Sequence, residues 1–141
     1  MRLVTLADGR AARLEGDGYV PLPGRLADHL CRPEAAPVGD PIPVDRIAVG
    51  PPIARPGKIV LIGLNYKDHA AETGQDLPEA PLLFSKPSSC VVGPGAPIEM
   101  PDGDVHLDYE AELAVVISKV GRNIARGDAM AHVFGYTIVN D

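Results

Sequence analysis

The chain has no tryptophan, and its 141 residues hold only four tyrosines and two phenylalanines. Large aromatic rings therefore cannot supply the core, which has to be filled by aliphatic side chains. Positive charge is also scarce. Thirteen Lys and Arg against 19 Asp and Glu leave a net charge of −6, which argues against nucleic acid or an anionic membrane as partner, because both reward basic surfaces. No apolar run approaches the ~20 residues of a membrane span, and the opening MRLVTLADG lacks the continuous apolar segment of a secretory signal. The two cysteines, Cys31 and Cys90, stand far apart in no metal-binding spacing. Free thiols in a cytoplasmic protein are the expectation.

Glycine and proline are abundant, at 15 each, about a fifth of the chain and nearly double the usual share. Such a chain builds turns and short elements rather than a helical bundle. With 45% hydrophobic and 23% charged residues, the composition is globular rather than disordered. The length suits one ordinary domain, or a small one plus part of another.

Along the chain, residues 1–32 read as a small β-rich amino-terminal lobe. Residues 2–7 and 11–14 form two strands around the Asp8-Gly9 turn signal, 19–22 give a third, and 25–31 have helical spacing with Leu26 and Leu30 on one face. Residues 33–57 carry seven prolines, which force extended, mostly unpaired backbone. This segment is expected to be a linker, or an arm wrapped over the next domain.

The texture changes at Lys58. Residues 58–64 are a near-continuous apolar strand, expected to be covered on both faces. Residues 65–74 predict a short helix closed by Gly74. Residues 82–86 form a strand stopped by Pro87, residues 98–101 a short edge piece, and residues 102–104 a turn. Residues 109–119 predict a strand, 128–133 one or two helical turns, and 134–140 a final strand. Ending on a β-branched strand and then an acid, the chain is expected to be a fragment of a longer fold.

The 109–119 strand carries the acids that matter. Side chains two apart share a strand face, so Glu110 and Glu112 point the same way with Cα atoms roughly 6.5–7 Å apart. Tyr109, Leu113, Val115 and Ile117 form the other set, expected to face an apolar layer. Two like charges entering an apolar run repel and resist desolvation. Either the strand end is solvated and both glutamates face water, or their oxygens hold a hard divalent cation. His69 and Glu72, three apart, share a helix face; they are a surface pair, or Glu72 orients the imidazole as a base. Lys86 is a solvated strand-end lysine or a charge for a substrate oxyanion. Asn65 and Tyr66 either cap the helix or donate to a ligand. His29, His106 and His132 read as surface or packing residues. The Gly93-Pro94-Gly95 loop lacks the Lys-Ser/Thr and following helix of a phosphate cradle.

Four pieces occur in order: Gly63-Leu64-Asn65-Tyr66 with His69 and Glu72; Phe84-Ser85-Lys86-Pro87-Ser88; Asp108-Tyr109-Glu110-Ala111-Glu112-Leu113; and Gly135-Tyr136-Thr137-Ile138-Val139-Asn140-Asp141. Over residues 58–141 the series resembles the fumarylacetoacetate hydrolase family, in its bacterial, acylpyruvase-like branch. The resemblance implies an α+β, mainly β fold: a mixed β-roll, here partial, preceded by the small β-rich amino-terminal lobe. It implies a cytoplasmic homodimer acting in aromatic catabolism. It implies Mg²⁺ or Mn²⁺ bound by Glu110, Glu112 and Asp141, water activation by His69 and Glu72, and substrate contacts from Lys86, Asn65 and Tyr66. The substrate class it implies is a small anionic 2-oxo (1,3-dicarbonyl) acid such as an acylpyruvate, cleaved at a carbon–carbon bond, decarboxylated or isomerised. Family domains continue well past the matching aspartate with further substrate-holding groups, so the alternative is a catalytically inactive fragment that at most binds metal or associates with a partner.

Overall fold

The computed structural model describes residues 1–103 and 106–141. In the first lobe, β1 (Leu3–Leu6), β2 (Ala11–Glu15) and β3 (Gly18–Pro21) form an antiparallel meander. A two-residue loop joins β2 to β3, and Gly16 takes the φ of +57° that a primed hairpin turn needs there. Two apolar clusters fill this lobe: Leu6, Ala12 and Tyr19 in one, Ala11, Leu22 and Leu26 in the other. Residues Leu26–His29 form a single 3-10 turn rather than an α-helix. His29 is buried there, its Nε2 2.6 Å from the Pro23 carbonyl, a packing role as expected.

The proline-rich segment corrects the linker reading. It supplies β4 (Ile42–Pro43), paired with β3, and β5 (Val49–Gly50), paired with β1, so the sheet order is β4-β3-β2-β1-β5. Both are two-residue strands at sheet edges, where proline's missing N–H costs no ladder bond. The segment is stitched to the first lobe: Thr5 Oγ1 donates to the Pro52 carbonyl at 2.7 Å, Val38 N to Pro21 O at 2.9 Å, and Arg13 Nη1 to Ala35 O at 3.2 Å.

Among the described residues, the rest of the chain forms two antiparallel strand pairs, one α-helix and short 3-10 turns. β6 (Ile59–Gly63) pairs with β7 (Leu82–Lys86), and α1 (Lys67–Glu72) lies between them in sequence. β8 (Ala111–Ile117) pairs with β9 (Val133–Asn140), joined through a 3-10 turn at Arg126–His132. The short strand expected at residues 98–101 does not form. The turn expected at 102–104 falls partly outside the described residues. Cys31 and Cys90 are exposed free thiols. Among the described residues no helix is long and apolar enough to cross a membrane.

Two burial expectations are overturned. β6 is not covered on both faces, since Val60 is 60% and Ile62 49% exposed. On β8 the exposure alternates as a strand should, but with the opposite sign. Leu113, Val115 and Ile117 face outward, as does Tyr109 just before the strand, while Glu112, Ala114 and Val116 are half-buried. Alternation separates two faces without saying which is covered. Here the cover lies on the glutamate side, where the end of β7 approaches.

Candidate metal centre at the open end of the β8–β9 hairpin

Ala111 pairs with Asn140 and Glu112 with Val139, so the next pair outward is Glu110 opposite Asp141, whose N–H donates to the Glu110 carbonyl at 2.8 Å. Residues directly opposite in an antiparallel pair share a face with Cβ atoms about 4.5–5.5 Å apart. Glu112 lies two residues along on that face. Three carboxylates thus sit on one face of one strand pair, Asp141 coming from 29 and 31 residues beyond Glu112 and Glu110 in sequence. Asn140 holds the end in place: its Oδ1 accepts from the Glu110 N–H at 2.9 Å. That role has no signature in the sequence, because it depends on which strands pair.

The side chains have not converged. Among the described residues no three His, Cys, Asp or Glu side chains are grouped closely enough to hold a metal ion. Glu110 is exposed and Glu112 half-buried. Asp141, 12% exposed at its side chain, is ion-paired and hydrogen-bonded to Lys86 Nζ from the end of β7. The Asp141 carboxylate holds the Lys86 ammonium above the ordinary lysine range; partial burial opposes this, and Cys90 and Glu110 add to it. By donor type the site fits a hard divalent cation, since carboxylate oxygens are its preferred ligands. By position the end already accepts a cation, the ammonium of Lys86.

β6 exits through Leu64, a non-glycine residue at φ +50°, into α1. Tyr66 is the N-cap residue and makes no side-chain cap bond, so neither Asn65 nor Tyr66 caps the helix. At the other end Gln75 N donates to Ala70 O at 2.9 Å and Gly74 N to Ala71 O at 3.2 Å, the two crossed bonds of a Schellman motif. Gly74 carries the left-handed φ of +65° this needs. Asn65, Tyr66, His69 and Glu72 are all exposed. Helical spacing puts His69 and Glu72 on one face, yet no hydrogen bond links them, nor either of them to the acid end. A concavity of about 420 Å³ lined by Asp28, His29, Arg32, Glu34 and Ala35 lies on the first lobe, away from these groups.

The comparisons with known proteins bear on the family. The fumarylacetoacetate (FAA) hydrolase C-terminal model matches residues 58–141. An oxaloacetate tautomerase from Xenopus laevis mitochondria is 49% identical over 90 residues, covering 64% of this chain and 28% of that protein. The oxaloacetate tautomerase YisK of Bacillus subtilis is 42% identical over 131 residues, covering 90% of this chain and 44% of that protein. Among solved structures, maleylpyruvate hydrolase from Sphingobium sp. SYK-6, in complex with manganese(II) and pyruvate, superposes with a TM-score of 0.75 at 26% identity, covering all of this chain and 58% of that one. The chain therefore spans about half the length of the relatives it matches, or less. With the family model covering its two hairpins and its acid end, the chain belongs to the fumarylacetoacetate hydrolase family.

Proposed function

We propose that the chain is the acid-bearing part of a divalent-metal-dependent enzyme acting on small anionic 2-oxo acids. The observation that carries this is the β8–β9 pairing, which puts Glu110, Glu112 and Asp141 on one face, with Lys86 from the end of β7 ion-paired to Asp141. Bound there, Mg²⁺ or Mn²⁺ would supply Lewis acidity for the enolate of a 1,3-dicarbonyl acid. Glu110, Glu112 and Asp141 would hold the ion. Lys86 would neutralise the substrate carboxylate. His69, oriented by Glu72, would act on a proton: that of water in carbon–carbon hydrolysis, or that of the substrate itself in tautomerisation. Asn65 and Tyr66, next to the helix start, would contact the substrate. The chemistry of the relatives supports both branches, because oxaloacetate tautomerisation and maleylpyruvate hydrolysis each begin from a 2-oxo acid.

A second reading is a member that binds metal or a partner without turnover. It is favoured by the exposure of His69 and Glu72 and by the unconverged carboxylates. Assaying oxaloacetate tautomerisation and acylpyruvate cleavage with and without Mn²⁺, for the wild type and Glu112→Gln, separates the two. Metal-dependent turnover that Glu112→Gln abolishes supports the enzyme. Manganese binding with no turnover on either substrate class supports the second reading. The same proposal makes the assembly a homodimer in the cytoplasm; sedimentation of the purified protein checks the dimer, and fractionation of cells the compartment.

A further inference from the structure

Lys86 and Asp141 are 55 residues apart in sequence. Among the described residues, theirs is the one hydrogen bond that joins the β6–β7 hairpin to the β8–β9 hairpin. The pair is partly sheltered, with Lys86 38% and Asp141 12% exposed at the side chain. The Asp141 side chain has two carboxylate oxygens, and the ammonium occupies one of them. A divalent cation held by Asp141 together with Glu110 and Glu112 would draw on the same carboxylate, on the same face, within a few ångströms of the ammonium. Two cations cannot share that position: like charges a few ångströms apart repel, and the more so where water is partly excluded.

We infer that Lys86 is the resident counter-cation of this acid end and competes with the metal for Asp141, so that a divalent ion enters only as the Lys86 ammonium leaves. This rests on the metal-centre reading above and adds an order to it. While paired to Asp141, Lys86 is not free to meet a substrate carboxylate. Once displaced, it remains tethered at the end of β7, beside the face it has left, with its charge unneutralised. The anion-binding group is thus released by metal loading, and the site is primed for an anionic 2-oxo acid only when it carries its cation. The acid-rich end is also held together without metal, because the ammonium offsets part of the repulsion among the carboxylates.

The test is Mn²⁺ binding by isothermal titration and by the loss of the free-ion electron paramagnetic resonance signal, without substrate. Lys86→Met is expected to bind Mn²⁺ at least ten-fold more tightly than the wild type. Lys86→Arg, which keeps a cation in place, is expected to stay within about three-fold of it. Lys58→Met, an exposed lysine at the start of the same hairpin, reports the general effect of removing one positive charge and is expected to change affinity less than two-fold. Equal or weaker binding by Lys86→Met overturns the competition while leaving the metal centre standing. Failure of the wild type and every variant to bind Mn²⁺ overturns the metal centre, and this inference with it. A second measurement needs no variant. The Lys86 side-chain ammonium resonance of the wild type, protected while paired, is expected to broaden and shift as Mg²⁺ is added. A resonance unchanged at saturating Mg²⁺ contradicts the displacement.

Discussion

Replacing Gly74 by alanine isolates one backbone term at the helix that carries His69 and Glu72. Gly74 has φ +65°, and a Cβ built on it meets nothing within 4 Å. The substitution therefore brings no clash, and its cost is that of placing an L-residue in the left-handed region, roughly 1–2 kcal/mol. α1 has six residues, and its only buried residue is Ala70. So short a helix has little packing with which to hold itself. Its termination depends on the bonds from Thr73 N to His69 O at 3.1 Å, Gly74 N to Ala71 O and Gln75 N to Ala70 O. The penalty should appear as local opening of this turn, not as global unfolding. At about 1.4 kcal/mol per factor of ten, exchange of the Thr73, Gly74 and Gln75 amides should speed up roughly 5- to 30-fold, with β2 and β3 amides unchanged. Gly57→Ala, also without contacts but with no positive φ, is the control and should leave the helix amides as they are. If Gly74→Ala leaves those three amides within two-fold of the wild type, the left-handed turn is not what closes α1. Opening the turn frees His69 and Glu72 from one helix face, so under the enzyme reading turnover should fall while Mn²⁺ affinity stays unchanged.

The other predictions concern the first lobe. Leu22 is fully buried beside Ala11 and Leu26, so Leu22→Ala should cost about 2–5 kcal/mol, read as a lower urea midpoint. Thr5→Val removes the hydroxyl that satisfies the Pro52 carbonyl; it should cost about 1–3 kcal/mol and speed limited proteolysis between residues 51 and 57, and unchanged cleavage there would mean the proline-rich segment is held by other contacts. Asp28 accepts from the Arg25 N–H at 2.8 Å, which holds its carboxyl below the ordinary 3.8. Because the folded value is depressed, its contribution is present above the unfolded value and is lost as pH falls through the folded one. Asp28→Asn should therefore flatten the loss of stability below about pH 4, as followed by acid titration of circular dichroism; an acid limb identical to that of the wild type would refute it.

Features fixed by local chemistry were legible in the sequence. β7 runs from Leu82 to Lys86 as expected because Pro87 cannot donate to a ladder, and α1 stops where Gly74 supplies the left-handed turn. Features set by long-range pairing were not. The edge strands Ile42–Pro43 and Val49–Gly50 are too short to show a period, and their prolines pointed toward a linker. The apolar side chains at 113, 115 and 117 mislead because hydrophobicity identifies a face that gains from burial, not one that this chain buries. At the site, the residue types and the shared face of Glu110 and Glu112 were legible. The meeting of Lys86 with Asp141 and the anchoring role of Asn140 were not, since both follow from tertiary register.

That register turns on one residue. From Ala111 to Val116 each β8 residue faces its β9 partner in unbroken sequence, Val116 opposite Gly135, but Ile117 faces Val133. Phe134 is left without a partner, a one-residue bulge in β9. Had the pairing of Ile117 with Val133 continued without the bulge, Glu110 would oppose Asn140 and Asp141 would oppose Tyr109. Because a strand's side-chain period is two, that single step would carry Asp141 to the face of Tyr109 and Leu113, away from Glu110, Glu112 and Lys86. The three acids share a face only because an extra residue near the start of β9 is absorbed before the strand reaches its end. The Asn140 side chain then locks the result by bonding the Glu110 N–H, which makes the distant irregularity at Phe134 as much a determinant of the candidate metal centre as the carboxylates themselves.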